Sequence, residues 1–370
     1  MKRREFLSLS AVGAFSVLPA VRADDVSNET MKAAARIIQK EVDAGRLESA
    51  VLHVQHGSKQ FVHSFGKAPS GDAIFLLASI TKTMTAAGVM LLADRGELRL
   101  SDRVMKFIPE FSTGERKEIT IEQLLVHTSG LPDQLPENSD LRKRHAPLSD
   151  FVKAAIKTPL LFPPGTKYKY QSMGLLLAAE IVERITRTPF PDFLAKEVFK
   201  PLGMNRTALG LGRIKLSNTI RCQTESAAPE SGAGSAEAKK WDWNSPYWRN
   251  LGAPWGGAHG SAPDVTRFLR SFLQPDGKVL RKETARAMIR NHTKGLGAKR
   301  GLGFAVGPAG FSTHCSERTF GHSGATGTIA WADPKTDTSC VILTSLPSGL
   351  SGKTILKPVS DVVAEAVKGK

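Results

Sequence analysis

Apolar residues recur at helical spacing over residues 29–44, where Met31, Ala34, Ala35, Ile38 and Val42 share one face and Gly45 ends the run. The period then changes. Residues 50–55 and 60–65 alternate apolar and polar positions around His56-Gly57-Ser58-Lys59, which predicts a β-hairpin. From 74 to about 273 the spacing is mostly helical, with long loops. A strongly apolar helix is predicted from 75 to 95, ahead of Gly96. Others follow over 121–126, 149–157, 174–186 and 190–199, with a short helix or turn at 102–107 and a long polar loop at 132–147. The strand period returns over 301–306, 328–332 and 338–345, and a helix over 359–367 closes the chain. One antiparallel sheet built from both chain ends (24–73 and 300–370) and flanked by helices, with a mostly helical region (74–299) inserted between, is the economical architecture. It is an α+β fold.

The N-terminus breaks this pattern. Lys2-Arg3-Arg4-Glu5-Phe6-Leu7, the apolar run 9–18 and Val21-Arg22-Ala23 read as a signal peptide over residues 1–23. The Arg3-Arg4 pair resembles a twin-arginine signal, which implies export of an already folded protein to the periplasm. Residues 24–370 then form a single catalytic unit. Removing the leader lowers the net charge from +16 to +13. A basic chain can favour anionic surfaces, including the cell envelope. The cations are scattered, however, with only Arg142-Lys143-Arg144 and Lys239-Lys240 dense, so the charge reads as solvated surface and no nucleic acid partner is expected. Cys222, Cys315 and Cys340 are too few for a disulfide framework and lack zinc spacing; Cys315 and Cys340 could lie on nearby strands. His53, His56 and His63 share the first hairpin without a carboxylate, so no metal is expected.

Candidate chemistry begins in the apolar helix. Ser79 and Lys82 are three residues apart, which on a helix places them on one face with Cβ atoms about 5–6 Å apart. The apolar residues that follow would desolvate the amine, and a neutral amine can accept the Ser proton. A second Ser-x-x-Lys, Ser64 to Lys67, spans a glycine at a strand end, where side chains three apart do not share a face. Further on, Pro163-Pro164-Gly165 presents Tyr168 and Tyr170 just before a helix, where a Tyr beside a cation can act as a general base. Phe320-Gly321-His322-Ser323-Gly324-Ala325-Thr326-Gly327 has small residues that admit close backbone approach, and a free N–H there could serve an oxyanion hole. Four of the five Trp crowd into 241–255, either as the rim of an apolar pocket or as a locally packed cluster. Residues 227–238, rich in Ala, Ser, Glu and Gly, read as a flexible excursion.

Ser79-x-x-Lys82, Tyr170-x-Ser172 and His322-Ser323-Gly324, in this order, resemble the three motifs of the serine β-lactamase and penicillin-binding-protein superfamily. The nearest branch holds class C β-lactamases, family VIII esterases and DD-peptidase-like enzymes. Leu124-Leu125-Val126-His127-Thr128-Ser129-Gly130-Leu131, Pro164-Gly165-Thr166, Pro201-Leu202-Gly203-Met204 and 256–264 agree with it. The resemblance implies an acyl-enzyme route that needs no cofactor. Ser79 would attack a carbonyl, Lys82 and Tyr170 would share the general-base work, and the N–H groups of Ser79 and Ala325 would hold the oxyanion. His322, Ser323, Gly324 and Ser172 would contact the substrate.

Two departures shape the expected specificity. The family's Tyr-x-Asn is Tyr170-Gln171-Ser172, and a Ser offers one short hydroxyl where Asn offers a donor and an acceptor. The β-lactamases' Lys-Thr-Gly is His322-Ser323-Gly324, and His is mostly neutral near pH 7. Both changes argue against an efficient β-lactamase. The leading expectation is a serine hydrolase acting on a small-molecule ester or amide, carboxylic esters foremost. A β-lactamase, DD-peptidase or D-amino-acid amidase comes second. A catalytically silent binding protein comes third, against the intact Ser79, Lys82 and Tyr170. No Gly-x-Ser-x-Gly is present, which argues against an α/β-hydrolase.

Overall fold

The computed structural model describes residues 28–228 and 231–368; the predicted leader lies outside them. Among the described residues nine strands are formed: β1 (Ser49–His56), β2 (Lys59–Gly66), β3 (Phe75–Leu76), β4 (Ala208–Leu209), β5 (Ala258–Gly260), β6 (Ala305–Val306), β7 (Phe320–Gly324), β8 (Thr328–Asp333) and β9 (Thr338–Thr344). Six of them make one antiparallel sheet in the order β2-β1-β9-β8-β7-β6. The two chain ends therefore meet at the β1–β9 ladder, with Val51 opposite Leu343 and Val54 opposite Cys340.

Both faces of this sheet are covered, and the two-residue period assigns each side chain to a face. Cys340 and Ile342 of β9, with Ile329 and Trp331 of β8, pack beneath the Asn28–Asp43 and Lys357–Val367 helices against Met31, Ala34, Ile38 and Val359. Trp331 is fully buried and its indole N–H donates to Ser360 Oγ at 3.1 Å, so its one polar atom is satisfied. Val341 and Leu343, with Ala330 and Ala332, face the opposite way. They join the larger core, where Phe268 and Phe272 of the Ala262–Leu273 helix meet Phe304 and Phe320.

The inserted region centres on the Thr81–Asp94 helix, buried from Thr81 to Leu92 and packed on the Met173–Thr186 helix. Several elements differ from the pattern's prediction. Residues 75–80 are not helical: Phe75 and Leu76 form β3, which pairs with β5, and β4 completes a small second sheet in the order β3-β5-β4. The 132–147 loop contains the Asn138–Lys143 helix. The helix over 190–199 turns π-helical at Ala195–Phe199, and the 301–306 strand shrinks to β6. Positions 229–230 of the predicted excursion lie outside the described residues; of the rest, Ala227, Ser231 and Ala238 are buried and anchor it to the fold, while Ala228, Ala233 and residues 235–237 are exposed.

Cys315 sits in the loop before β7 rather than on a strand, in the same core cluster as Cys340, and all three cysteines are buried thiols. The hairpin histidines diverge. His53 is buried against Thr266 at 2.9 Å, His56 meets Thr338 at 2.9 Å, and His63 stacks between Phe61 and Phe65. Lys67 of the second Ser-x-x-Lys turns to Glu48 at 3.3 Å.

Candidate active site

β3 ends at Leu76, and the chain then makes a sharp corner. Ala78 takes a left-handed conformation (φ 47°), and a 3-10 turn over Ala78–Ile80 feeds the Thr81–Asp94 helix. The corner leaves Ser79 partly exposed while Lys82, one turn on, is completely buried. Lys82 Nζ lies 3.1 Å from Ser79 Oγ and 2.9 Å from the Trp255 carbonyl oxygen. The amine donates to the Trp255 carbonyl and stands within hydrogen-bond reach of the Ser79 hydroxyl, the geometry that a base for this hydroxyl needs. The 254–258 loop that supplies this carbonyl is tied to the same helix face. Thr85 donates to Pro254 O at 2.6 Å, Thr81 Oγ1 accepts the Ala258 N–H at 3.0 Å, and Leu77 N–H reaches Ala258 O at 2.8 Å. The Trp cluster behind the loop is packed, not a rim. Trp241, Trp243, Trp248 and Trp255 are all buried, and the Arg142 guanidinium covers the Trp248 ring at 4.1 Å.

Tyr170 arrives from the other side. Its ring centroid is 4.8 Å from Lys82 Nζ. The segment carrying it is docked on the turn after the Ile121–Leu125 helix. His127 O accepts the Lys169 N–H at 3.1 Å, His127 Nδ1 accepts the Gln171 N–H at 3.2 Å, and the His127 ring stands 4.9 Å from the Tyr170 ring. Thr128 O and Gly130 O take the Gly165 and Leu161 N–H groups at 2.8 Å each. Gln171 points away from the site, completely buried, and bonds Ser129 Oγ at 2.7 Å. Arg300 covers the outer side: its Nε donates to Tyr168 Oη at 2.9 Å, and its guanidinium carbon is 5.5 Å from the Tyr170 centroid.

The third wall is β7. Thr326 and Thr328 donate to the carbonyls of Leu76 and Leu77 at 2.7 and 2.9 Å, pinning the β7–β8 hairpin to the corner that carries Ser79. The approach is so close that a Cβ on Gly324 would stand 2.5 Å from Leu77 O, so the position requires glycine. Ala325 and Ser323 are exposed beside the corner, and the Ala325 N–H has no acceptor among the described residues. His322 is buried with its ring 5.9 Å from Tyr170. Its Nδ1–H donates to Ser323 O at 2.6 Å, which leaves Nε2 as a buried, unpartnered lone pair. Burial first, then Arg300 and Lys82, push the His322 pKa down to about 3, and the same causes hold His127 well below the usual imidazole range. Both rings are neutral at pH 7.

The structure thus brings Ser79, Lys82, Tyr170 and His322 through Ala325 to one place. Ser172 departs from the expectation of direct substrate contact. It is buried, and its single proton is donated to Asp133 Oδ1 at 2.5 Å, so the carboxylate takes the bond a substrate would have received. Asp133, Arg300 and the Trp255 carbonyl had no signal in residue spacing, and His127 was marked only as part of the 124–131 segment that agrees with the family; each is brought in by tertiary packing. Thr326 and Thr328 did have one, as hydroxyls alternating in a glycine-rich strand start.

Residues 34–361 match the Beta-lactamase family, which is nearly all of the described chain. The chain belongs to the beta-lactamase family. Members of this family are serine hydrolases, and its penicillin-binding and β-lactamase branches make up the superfamily that the three motifs resemble. Penicillin-binding protein 4 of Amycolatopsis lactamdurans is 31% identical over 260 residues, covering 68% of this chain and 63% of that protein. The first of the curated relatives is likewise spanned over only 64% of its length. Among solved structures, the fold is shared with EstCE1, a hydrolase with promiscuous acyltransferase activity, at a TM-score of 0.72 and 21% identity, over 92% of this chain and 98% of that one. It is equally shared with the D-amino acid amidase of Ochrobactrum anthropi SV3, at 0.73 and 22%, over 92% and 100%.

Proposed function

We propose that this member of the beta-lactamase family is an exported serine hydrolase that cleaves carboxylic esters through an acyl-enzyme. The observation that carries the reading is the buried Lys82 amine 3.1 Å from Ser79 Oγ and beneath the Tyr170 ring. Ser79 Oγ bonds the carbonyl carbon as its proton passes to the Lys82–Tyr170 pair. The N–H groups of Ser79 and Ala325 hold the oxyanion. The C–O bond to the leaving alcohol then breaks, the stored proton returns to that oxygen, and water releases the acid by the reverse path. The fold shared with EstCE1, a hydrolase with promiscuous acyltransferase activity, supports the acyl-transfer part of the reading, and the charged, then apolar, then small-residue pattern of residues 1–23 supports export. The neutral, buried His322 supports an ester over a β-lactam, because it supplies no fixed cation where β-lactamases carry Lys.

The test is a paired rate assay of a p-nitrophenyl short-chain ester and a chromogenic cephalosporin, with Ser79→Ala as control. The expected outcome is ester turnover that is lost in the variant, with a far slower cephalosporin rate. A cephalosporin rate equal to or above the ester rate would reverse the substrate order.

Arg300 favours a second reading. Two of its nitrogens have no hydrogen-bond partner among the described residues, and it lies over Tyr170, so it could receive a substrate carboxylate in place of the missing Lys. That would suit a DD-peptidase or β-lactamase. If so, Arg300→Gln lowers kcat/KM for carboxylate-bearing substrates at least tenfold more than for neutral esters, within the range of about 1.5–3 kcal/mol for a charge-assisted hydrogen bond.

A further inference from the structure

Arg142-Lys143-Arg144 and Lys239-Lys240 are the two dense cation clusters of the chain, far apart in sequence and joined by the fold. Lys143 Nζ lies 3.7 Å from Glu237 Oε1, at the start of the 3-10 turn Glu237–Lys240. Arg142 is turned inward: its Nη2 donates to Trp241 O at 3.3 Å, and its guanidinium covers the Trp248 ring at 4.1 Å. Arg144 is paired with Asp150 at 2.9 Å. Lys239 and Lys240 are exposed, and neither side chain makes an ion pair among the described residues.

These two ammonium groups line a cleft of about 780 Å³, within the size of about 300–1,000 Å³ usual for ligand sites. His145, Pro246, Tyr247 and Asn250 line it with them, and no Asp or Glu does. The Tyr247 hydroxyl donates to Ala146 O at 2.9 Å, which fixes the ring, and the His145 ring stacks on it at 4.7 Å with 15° between the planes. Asn250 Nδ2 donates to Pro246 O at 2.8 Å, which leaves its Oδ1 open as an acceptor. The cleft therefore offers two cations for acid groups, an amide oxygen for a hydroxyl, and flat ring and proline surfaces for the C–H face of a sugar ring. None of its lining residues belongs to the Ser79 site.

We infer that this cleft is a second binding site, separate from the catalytic one, and that it takes a segment of an acidic sugar chain. Occupied, it tethers the protein to an anionic polymer and leaves the Ser79 site free. A nucleic acid fits less well, because the free cations are confined to one short cleft and form no track along which a strand could run. The inference stands apart from the acyl-enzyme reading: neither needs the other.

The test is fluorescence anisotropy of the full chain with labelled sugar oligomers. The probes are an oligogalacturonate, which carries carboxylates, a phosphomannan fragment, which carries phosphates, and the neutral methyl ester of the first. Either acidic probe is expected to bind at least about tenfold more tightly than the neutral one, and the tighter of the two names the acid group. Lys239→Gln/Lys240→Gln is expected to cost about tenfold or more in that affinity. The control pair Arg36→Gln/Lys40→Gln removes the same charge from the Asn28–Asp43 helix, which packs in the core on the other face of the sheet, and should leave the affinity unchanged. Equal losses in the two double variants overturn the inference, because net charge alone then accounts for the binding. Oligothymidylate bound as tightly as the acidic sugars overturns it as well, and so does equal binding of the acidic and neutral probes. Urea midpoints of both variants at the wild-type value show that the fold is intact in each comparison.

Discussion

At the scale of single residues, the meeting of Ser79, Lys82 and Tyr170 was legible because the motifs that carry them have a fixed spacing and order, whereas the residues that support them were not. His127 shows why. It has a left-handed backbone (φ 62°), uncommon for a residue with a side chain, and it grips both neighbours of Tyr170, one by its carbonyl and one by Nδ1. Forty-odd residues separate the two partners, so no local pattern could announce the contact. The Nδ1 that accepts the Gln171 N–H must be unprotonated, which its burial and the nearby Arg300 and Lys82 cations ensure. His127→Ala is expected to lower kcat about 10- to 100-fold with little change in KM, since a small misplacement of a catalytic group has effects of that order. His127→Asn should recover part of the loss, because Asn tolerates the left-handed backbone and keeps an acceptor. Steady-state kinetics on the p-nitrophenyl ester checks both; an unchanged kcat in His127→Ala would show that Tyr170 holds its place unaided.

Among the elements, the corner at 75–80 is the instructive misreading. Phe75 through Ile80 continue the apolar character of the helix that follows, so composition offers no boundary between them. The boundary is set by β5, some 180 residues downstream, which pairs with Phe75 and Leu76 and leaves Ala78 to make the turn. The strand is what lets Ser79 stand at the head of the buried helix rather than within it. The same corner receives the β7–β8 hairpin through Thr326 and Thr328. Leu77 O also accepts the Ile80 N–H at 3.4 Å, whereas removing the Thr326 hydroxyl takes that bond from the Leu76 carbonyl, at a penalty of about 1–3 kcal/mol. Thr326→Val is therefore expected to lower stability by that amount and to reduce kcat as well, because Ala325 lies next to the released bond. Denaturant midpoints and ester kinetics on one preparation measure both. A stability loss without any kcat loss would show that the hairpin keeps its register without the threonine.

Over the whole molecule, the sheet made from both chain ends was readable because strand period and helix period alternate cleanly in this chain, and one sheet is the simplest way to use both ends. Less readable was how thoroughly the fold buries its histidines. His53 lies under the Ala262–Leu273 helix, His259 within the small sheet and His322 at the site. Burial pushes their pKa values down to about 4, 3 and 3 respectively. The sign of the consequence is definite. In the unfolded chain these imidazoles take a proton as pH falls through about 6.5, while in the folded chain they stay neutral until about 3–4. The unfolded state then binds more protons, so stability is full above pH 6.5 and falls steadily below it. At pH 5 each group contributes a loss of about 2 kcal/mol, or about 6 kcal/mol if the three act independently. That is comparable to the whole stability of many domains, about 5–15 kcal/mol. His292 runs the other way: its bond to Glu122 raises its pKa, so its stabilisation is present below about 6.5 and fades as pH rises through the folded value. It is one half-buried group against these three and His127, which burial also holds low, and the net slope stays positive with pH. Urea midpoints measured from pH 8 to pH 4.5 are expected to hold level and then drop steeply below about 6.5. His53→Gln, remote from Ser79, should flatten part of that drop and leave the ester activity at pH 7.5 intact. A midpoint unchanged between pH 7.5 and 5 would show that the three imidazoles accept protons without unfolding.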